Sequence, residues 1–489
     1  MAQKINLLRM KEHGTVAEIR QDVVHVVGLN NCLNGQLVQI GDSTAGVILG
    51  FDRDYVLVLL MDDASGIKPG DRVVTTMSEF KIPVGTQFLG RRVNALCQPI
   101  DHAGPIRADT QYPIFGVAPS VLERIPLAEE LQTGTKIIDM MKPVGKGQRM
   151  LILGDRMTGK TTLGVDAILS QKGRGVICIY CCIGKAEASL NRIITLFDKN
   201  GVWDYGIIVA ATASDPMGQQ YLVPYVATSI GEYFMYEKHA NVLVVFDDFT
   251  KHAWAYRQIS LLLERAPGRD AYPGDIFYIH SQLVERAGKL NSDRGSGSMT
   301  HLPIVETLQG DVAGYIPSNI VSMTDGQIYT STALFGEGFK PAIDMGLSVS
   351  RIGNKVQWPA IKRLTGMLQL EFVRYKELER LTRIRAGASA EVEARLRRGR
   401  VLEAILKQSA NMPVSAEDQA LILFALNNGF LTDIEPDQVR PRLDALIQQI
   451  RRDAPELIAE LVRRRDLNDA IKEGLHAQLK RFIELQPVT

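Results

Sequence analysis

The chain has 489 residues, which at about 150 residues per domain suggests roughly three domains and a core that needs no disulfide or metal staples. Apolar residues make up 45% and charged residues 23%, with 56 Lys+Arg against 55 Asp+Glu, which excludes an intrinsically disordered chain. The net charge of +1 excludes nucleic-acid binding through bulk electrostatics, although a local basic patch stays open.

Residues 1–13 are a short leader without the apolar core and cleavage site of a secretory signal. Over residues 14–80, short β-rich runs are separated by Gly, Asp and Asn. These runs cover residues 23–27, 36–40, 46–49, 55–61 and 72–75. Many short strands at such spacing predict a small barrel or sandwich, and we expect a β-barrel domain.

Over residues 81–358, strand-like and helix-like runs alternate. The strand-like runs are 149–153, 175–181, 206–211 and 242–246, and the helix-like runs are 161–171, 186–198 and 219–239. This alternation predicts a mostly parallel sheet flanked by helices, which is an α/β core.

A complete GxxxxGK[ST] motif follows the first strand of this core and opens a helix-like stretch. It consists of Gly154, Asp155, Arg156, Met157, Thr158, Gly159, Lys160 and Thr161. Glycines let backbone N–H groups surround phosphates, the lysine can reach the β- and γ-phosphates, and the Thr161 hydroxyl can ligate Mg²⁺. The motif predicts a P-loop that binds a nucleotide together with Mg²⁺.

A second acidic element completes a site of this class. The apolar strand predicted over residues 242–246 is followed by Asp247 and Asp248. Asp247 is predicted to hold Mg²⁺ through water. Both carboxylates could also cap the following helix, and the two roles are compatible.

Beyond residue 358 the β-branched runs stop and amphipathic charged segments follow, at 371–385, 391–408 and 440–452. We therefore predict a C-terminal helical domain over residues 359–489. The complete layout is a P-loop NTPase core between a β-barrel and a helical domain.

Segments along most of the chain, from about Gly14 into the helical zone, resemble the alpha subunit of F-type ATP synthases. They include Gly28-Leu29-Asn30-Asn31, Gln132-Thr133-Gly134, Gly147-Gln148-Arg149, Ala255-Tyr256-Arg257-Gln258, Tyr315-Ile316-Pro317, Thr324-Asp325-Gly326-Gln327-Ile328 and Ser348-Val349-Ser350-Arg351. The resemblance implies a RecA-like core that binds ATP or ADP with Mg²⁺, in a divergent or alternative synthase.

One position separates catalytic from non-catalytic chains of this superfamily. Beta-like chains carry glutamate and alpha-like chains glutamine just after the glycine that ends the strand following the P-loop helix. Here that position is Lys185, which matches neither, and a protonated lysine cannot orient water as a carboxylate does. We expect a site that does not turn over. Glu187 would need a changed backbone path to substitute, and Lys185 is either a solvated surface residue or a γ-phosphate contact.

The resemblance also implies roles for residues outside the P-loop. Arg351 is expected to act as an arginine finger in the catalytic site of a neighbouring beta subunit, and Ser348 to position its loop. The adenine pocket is expected to involve Phe335, Lys340, Pro341 and Gln408. Lys340 replaces the family's arginine, Ala410 a second glutamine and Met157 the loop glutamine, so affinity and base recognition should be weakened.

The implied partners are beta subunits in an alternating hexamer, the gamma rotor and the delta and b subunits of the peripheral stalk. Through them the chain would serve the membrane sector that carries H⁺ or Na⁺, as a peripheral protein on the cytoplasmic side of the inner (plasma) membrane. The short leader implies a changed stalk contact. The rotor-facing segment 381–389 is basic and small where the family is acidic.

Two alternatives have related cores. A hexameric RNA translocase like Rho should present basic, aromatic strand faces, whereas Phe51 and Tyr55 stand among Asp52, Asp54, Asp62 and Asp63. These carboxylates would repel phosphate, and we expect no nucleic-acid partner. A soluble export ATPase would need the catalytic glutamate that Lys185 replaces.

Overall fold

The computed structural model describes residues 11–42, 44–382, 389–431 and 434–485. In chain order its strands are β1 (Glu12–Arg20), β2 (Val23–Val27), β3 (Gln36–Ile40), β4 (Thr44–Phe51), β5 (Val56–Leu60), β6 (Arg72–Glu79), β7 (Lys81–Val84), β8 (Arg92–Val93), β9 (Thr110–Pro113), β10 (Glu130–Leu131), β11 (Val144–Gly145), β12 (Met150–Gly154), β13 (Val176–Lys185), β14 (Gly206–Thr212), β15 (Asn241–Asp247), β16 (Gly288–Lys289), β17 (Ser298–Glu306), β18 (Gly326–Thr330) and β19 (Val349–Ser350).

The α-helices are α1 (Lys136–Met141), α2 (Lys160–Leu169), α3 (Glu187–Asn200), α4 (Met217–Glu237), α5 (Phe249–Leu262), α6 (Ile276–Val284), α7 (Tyr315–Met323), α8 (Thr332–Gly336), α9 (Pro359–Thr365), α10 (Leu368–Thr382), α11 (Ala390–Leu406), α12 (Ala416–Asn427), α13 (Pro436–Asp453), α14 (Pro455–Arg464) and α15 (Asp469–Leu485). In the part of the chain that the structure describes, no helix is both long and apolar enough to cross a membrane.

The described chain divides into two compact units. The first contains the chain up to Ile125 together with Gly173–Glu306 and Ala313–Met323. The second contains Pro126–Lys172, Thr307–Val312 and the chain from Thr324 onward.

The first unit begins with a closed barrel in the order β1-β2-β5-β4-β3-β6, in which β1 pairs with both β2 and β6. Its interior is formed by Val, Ile and Leu side chains such as Val24, Val38 and Val58, which are inaccessible or nearly so. The predicted runs correspond to β2 through β6. The strand β1 was not predicted, because only Gly14 and Val16 of its residues are buried and it carries no apolar run.

The same unit holds parallel strands in the order β17-β15-β13-β14-β8. All seven residues of β14 are buried, as expected for a parallel sheet covered on both faces, and the long helix α4 packs on β13 and β15. Arg286 and Glu232 form a buried ion pair at 2.6 Å that ties α4 to the end of α6.

The second unit contains the strands β12 and β18, which are parallel, and β19, which is antiparallel to β18. It also contains α1, α2 and α8 and all helices from α9 onward. In this helical part α10 packs on α11, α9 on α12 and α11 on α13. The predicted layout of barrel, α/β core and helical domain is confirmed. The boundaries at residues 80 and 358 stay predictions, and residues 1–10 and 383–388 lie outside the described residues.

Candidate functional site

The P-loop lies between β12 and α2 in the second unit. Gly154 has a φ of 151°, and a Cβ there would come within 2.1 Å of the Thr330 hydroxyl oxygen and 2.4 Å of its carbonyl oxygen, so only glycine fits. Gly159 has a φ of 95° and nothing within 4 Å of the place of a Cβ. The open backbone turn ahead of a helix N-terminus fits an anion such as a nucleotide phosphate.

The side chain of Asp155 anchors this loop. One carboxylate oxygen accepts from the Thr307 hydroxyl at 2.7 Å and the Gly310 N–H at 2.8 Å, and the other from the Thr332 hydroxyl at 2.9 Å. Burial alone would raise the pKa of Asp155, but these donors outweigh burial and hold it below its ordinary value. The carboxylate therefore fixes the loop and stays ionised.

The main chain of the loop is held from within. The Thr158 hydroxyl donates to the Asp155 carbonyl at 2.8 Å and lies 2.7 Å from the Thr330 hydroxyl. The Lys160 ammonium donates to the same Asp155 carbonyl at 2.5 Å. The lysine is thus already turned toward the loop that it is predicted to serve.

The remaining loop residues differ in exposure. Thr161 is half-buried in the first turn of α2, where its hydroxyl could serve as a magnesium ligand. Arg156 is exposed, and Met157 is 90% exposed with a φ of 62°. Met157 therefore stands at the outer tip of the loop.

A cavity of about 340 Å³ opens beside the P-loop within the second unit. It is lined by residues of the loop and α2, of α8 and the segment after it, of the segment after α11 and of α13, among them Thr158, Gly159, Leu163, Asp166, Phe335, Lys340, Pro341, Lys407, Gln408, Ala410 and Arg440. The structure thus brings the four predicted adenine-pocket residues together with two residues of the P-loop.

Lys340 and Phe335 contact each other at the wall of this cavity. The Lys340 ammonium lies 4.5 Å from the centroid of the Phe335 ring, a cation–π distance. The Phe335 side chain is half-buried and Lys340 is exposed. Part of the ring face is therefore covered by the lysine.

The amide of Gln408 bonds to the protein itself. Its nitrogen donates to the carbonyls of Gly134 at 2.7 Å and Met412 at 2.8 Å, and its oxygen accepts from the Lys136 N–H at 2.9 Å. Both amide hydrogens have partners, so Gln408 shapes the pocket loop and has no donor left for a base. The Lys136 ammonium adds bonds to the carbonyls of Ile405 and Lys407.

Asp166 is a pocket residue that the sequence did not indicate. It is buried on α2 and accepts from the Asn411 N–H at 2.9 Å. Burial raises its pKa to about 7 and the Asn411 bond opposes this only in part. The helical period from Lys160 could have placed Asp166 on the cavity side of α2. Its hydrogen-bond donor could not be foreseen, because Asn411 is distant in the sequence.

A separate cluster lies at the ends of β13 and β15 in the first unit. Lys185 forms an ion pair with Asp247, and its ammonium is 3.7 Å from Asp248. The Tyr180 hydroxyl donates to the other Asp247 oxygen at 2.7 Å. The Asp247 side chain is fully buried and that of Lys185 is 20% exposed. Lys185 is therefore not a solvated surface residue.

The charges in this cluster depend on one another. Burial alone would lower the pKa of Lys185, but Asp247 and Asp248 outweigh it and the net pKa lies above its ordinary value. Burial raises the pKa of Asp248 to about 7, while Lys185 opposes that rise. Asp248 also caps α5 by accepting from the Lys251 N–H at 2.8 Å. Glu187 is exposed in the first turn of α3.

Arg351 follows the short strand β19 in the second unit and is exposed. Its N–H donates to the Asp325 carbonyl at 2.8 Å, and the Asp325 carboxylate pairs with Arg149 at 2.6 Å. The buried Ser348 hydroxyl donates to the Asp344 carbonyl at 2.6 Å and accepts from the Tyr329 N–H at 3.0 Å. The backbone before the arginine is thus firmly held, and the positioning role of Ser348 stays a prediction.

Comparison with known proteins gives one consistent result. Residues 10–77 match the beta-barrel domain of the ATP synthase alpha/beta family, residues 134–350 its nucleotide-binding domain and residues 357–482 its C-terminal domain. The chain is 44% identical over 475 residues to ATP synthase subunit alpha of Clostridium acetobutylicum, covering 97% of this chain and 94% of that one. It is 42% identical over 480 residues to the same subunit of Petrotoga mobilis, covering 97% and 95%.

Proposed function

This chain belongs to the ATP synthase alpha/beta family, and we propose that it is a nucleotide-binding alpha subunit whose own site does not turn over. In this role it alternates with beta subunits in an extrinsic hexamer and contributes to ATP synthesis or hydrolysis coupled to H⁺ or Na⁺ transport. The observation that carries the non-catalytic assignment is Lys185, which occupies the position of the catalytic glutamate and pairs with Asp247.

Nucleotide binding rests on the second unit. The open turn at Gly159, the Lys160 ammonium and the N-terminus of α2 suit the phosphates of ATP or ADP, and the adjoining cavity suits a base. Mg²⁺ would neutralise phosphate charge, and Thr161 is the residue of this unit that fits it. Asp247 fits it less well, because Lys185 and Tyr180 hold its two oxygens.

Base recognition is proposed to be weak. The pocket presents Phe335, Lys340 and Pro341, whose contacts with a base are apolar or electrostatic, and the amide hydrogens of Gln408 are already bonded. Apolar contacts discriminate between ligands by only about 10- to 200-fold, whereas polar groups that pair with the ligand reach about 10⁴ to 10⁵. Because Lys340 and Ala410 stand where the family carries arginine and glutamine, base discrimination should be weaker than in a pocket with those residues.

Lys185 supports the lack of turnover in two ways. Its ammonium is protonated near neutral pH, so it cannot accept a proton from the attacking water. Its pairing with Asp247 also keeps it from moving freely toward a phosphate. Glu187 could replace the missing base only if the start of α3 changed its path.

Arg351 is proposed to act in a neighbouring beta subunit, where a planar guanidinium stabilises charge on the transferring phosphoryl group. Its exposure and the anchored backbone around Ser348 support this role. The gamma rotor and the delta and b stalk subunits complete the proposed partners, and the proposed location is the cytoplasmic side of the inner membrane. The comparisons give no support to a Rho-like RNA translocase.

The test is turnover by the purified chain. We expect it to bind ATP, measured by equilibrium dialysis, and to release no phosphate above a no-enzyme blank. The matched variant Lys185→Glu restores the carboxylate of beta-like chains and shows whether this one position suppresses hydrolysis. Rapid hydrolysis by the unmodified chain would contradict the non-catalytic assignment. Absence of ATP binding would contradict the proposal that the chain binds a nucleotide.

A further inference from the structure

Asp166 is the one acid among the described residues that line the cavity beside the P-loop, and it is only 4% exposed. One of its carboxylate oxygens accepts from the Asn411 N–H at 2.9 Å. The other oxygen has no hydrogen-bond donor in the part of the chain that the structure describes. A carboxylate oxygen withdrawn from water is destabilised unless a donor compensates it. The second oxygen is therefore available to a donor on a ligand in the cavity.

The position of Asp166 along α2 decides which part of a nucleotide it can meet. Gly159 and Lys160 form the phosphate end of this helix. Asp166 lies about 9 Å further along the axis, at about 1.5 Å per residue. Thr162 and Leu163 line the cavity between the two points. Phosphates bound at the P-loop would therefore leave the nucleoside, and not another phosphate, beside the Asp166 carboxylate.

The charged side chains on the other walls of the cavity are all cations. They are Lys340 after α8, Lys407 after α11 and Arg440 on α13. Lys407 pairs with Glu403 at 3.0 Å, outside the set of lining residues. Ammonium and guanidinium groups only donate hydrogen bonds, whereas a carboxylate only accepts them. A donor group of a nucleoside therefore finds its charged acceptor at Asp166.

We propose that Asp166 is a specificity-determining residue of the nucleotide pocket, because its second carboxylate oxygen accepts a hydrogen bond from the bound nucleoside. The donor is the exocyclic amine of adenine or a ribose hydroxyl, which share this chemistry. The inference rests on the proposed function and goes beyond it by naming the group that recognises the nucleoside. The Asn411 N–H holds the first oxygen and so fixes the direction of the second.

The experiment measures dissociation constants of the full-length chain by isothermal titration calorimetry, for ATP and for three analogues that each lack one donor. Purine riboside triphosphate lacks the amine, and 2′-deoxy-ATP and 3′-deoxy-ATP each lack one ribose hydroxyl. For the unmodified chain we expect at least one analogue to bind about tenfold or more weakly than ATP, because it leaves the buried oxygen unpaired. That analogue identifies the donor.

The variant Asp166→Asn changes the acceptor while keeping the size of the side chain. Its amide oxygen can still accept from the Asn411 N–H, which leaves an N–H facing the cavity in place of the second oxygen. ATP should bind about tenfold or more weakly, and its advantage over the identified analogue should disappear. The matched control Asp469→Asn removes a carboxylate of the same unit that is 93% exposed, and it should behave like the unmodified chain.

Proton release on binding provides a readout that needs no variant. Burial raises the pKa of Asp166 to about 7, and a ligand donor favours the charged form, so binding should lower this pKa and release a proton. Titrations at pH 7 in buffers of different ionisation enthalpy should show more proton release for ATP than for the identified analogue. Both ligands carry the same triphosphate, so its own proton exchange is common to the two.

Three results would overturn the inference while leaving nucleotide binding intact. One is binding of ATP and all three analogues within about threefold by the unmodified chain. The second is a folded Asp166→Asn variant that keeps the full difference between ATP and the analogue, and the third is equal proton release by the two ligands. No binding of ATP or of any analogue would overturn the proposed function and the inference with it.

Discussion

Arg351 is a single exposed side chain whose substitution is predicted to lower the ATPase rate strongly. Its own surroundings are those of a well-anchored strand end: the Asp325 carbonyl holds its N–H, and Ser348 holds the preceding turn. A guanidinium presented from a fixed backbone loses little entropy when it meets a phosphoryl group.

We predict that Arg351→Ala lowers the ATPase rate of an assembly reconstituted with beta and gamma subunits by about 10³ to 10⁵, the range known for arginine fingers. Arg351→Lys should recover little of it, since an ammonium does not offer the same planar fork. ATP binding by the isolated chain should be unchanged in both variants. An Arg351→Ala assembly at the unmodified rate would contradict the role.

The P-loop could be predicted residue by residue, because its chemistry is local and its spacing is fixed. The partners of its residues could not, because they come from distant segments: Asp155 bonds to Thr307 and Thr332. The Lys185–Asp247 pair was missed for the same reason, since it depends on the register between two strands and on one irregularity next to Gly184.

At the scale of elements, α5 and α6 meet through two buried histidines. His252 Nδ1 lies 3.2 Å from His280 Nε2, and His252 Nε2 lies 3.0 Å from the Tyr221 carbonyl on α4. Burial lowers the pKa of His252 to about 4, although the Tyr221 carbonyl opposes this, and burial also lowers that of His280. Both rings are therefore neutral near pH 7.

This pair predicts how stability depends on pH. The unfolded His252 binds a proton below its ordinary pKa of 6.5 whereas the folded one does so only near 4, so the unfolded state holds more protons between these values. The free energy of unfolding should fall by about 3 kcal/mol from His252 alone as the pH drops through this window.

The measurement is urea denaturation of the full chain, followed by tyrosine and tryptophan fluorescence, at pH values across that window. Asp166 and Asp248, whose pKa values are raised to about 7, act in the opposite direction over this window, so the comparison is between variants. His252→Gln should remove the His252 contribution from the pH profile, and the control His102→Gln, which changes an exposed histidine, should leave the profile unchanged. Identical profiles for the unmodified chain and His252→Gln would contradict the assignment of a buried neutral ring.

Strand prediction succeeded where apolar residues alternate or follow one another, and failed where polar residues or proline interrupt them, as in β1 and in the buried strand β17. The bounds of β2 and β3 agree to the residue with the predicted runs, because their alternating or continuous apolar residues fill the barrel. The strand β1 is recognisable only from its partners β2 and β6. Its sequence is charged, and the sheet determines its conformation.

At the scale of the whole molecule, nucleotide binding should stabilise the two units to different extents. The P-loop and the cavity beside it both belong to the second unit, whereas the barrel belongs to the first. A ligand that binds only the folded state adds about 2.7 kcal/mol of stability at about 100 times its dissociation constant. Ordering should be greatest in the segments that touch the ligand.

We therefore predict that ATP slows hydrogen exchange most in three segments of the second unit, 154–161, 335–341 and 407–410. Strand β2 in the barrel serves as the internal control, and its exchange should change least. Mass spectrometry of the full chain with and without ATP measures both. Equal protection of β2 and the P-loop, or none in either, would count against the assigned binding segments.

The closed barrel has a consequence for how this chain meets other proteins. Because β1 returns to β6, every barrel strand has a neighbour on both sides and no edge is left for a foreign strand to extend. Any molecule that approaches the paired strands must recognise their side chains or the connecting loops, because it cannot add a strand to the sheet. A handful of surface substitutions can therefore change the identity of its neighbour while the buried Val, Ile and Leu lining stays as it is. The surface of such a domain can thus change to bind new partner proteins without destabilising the fold.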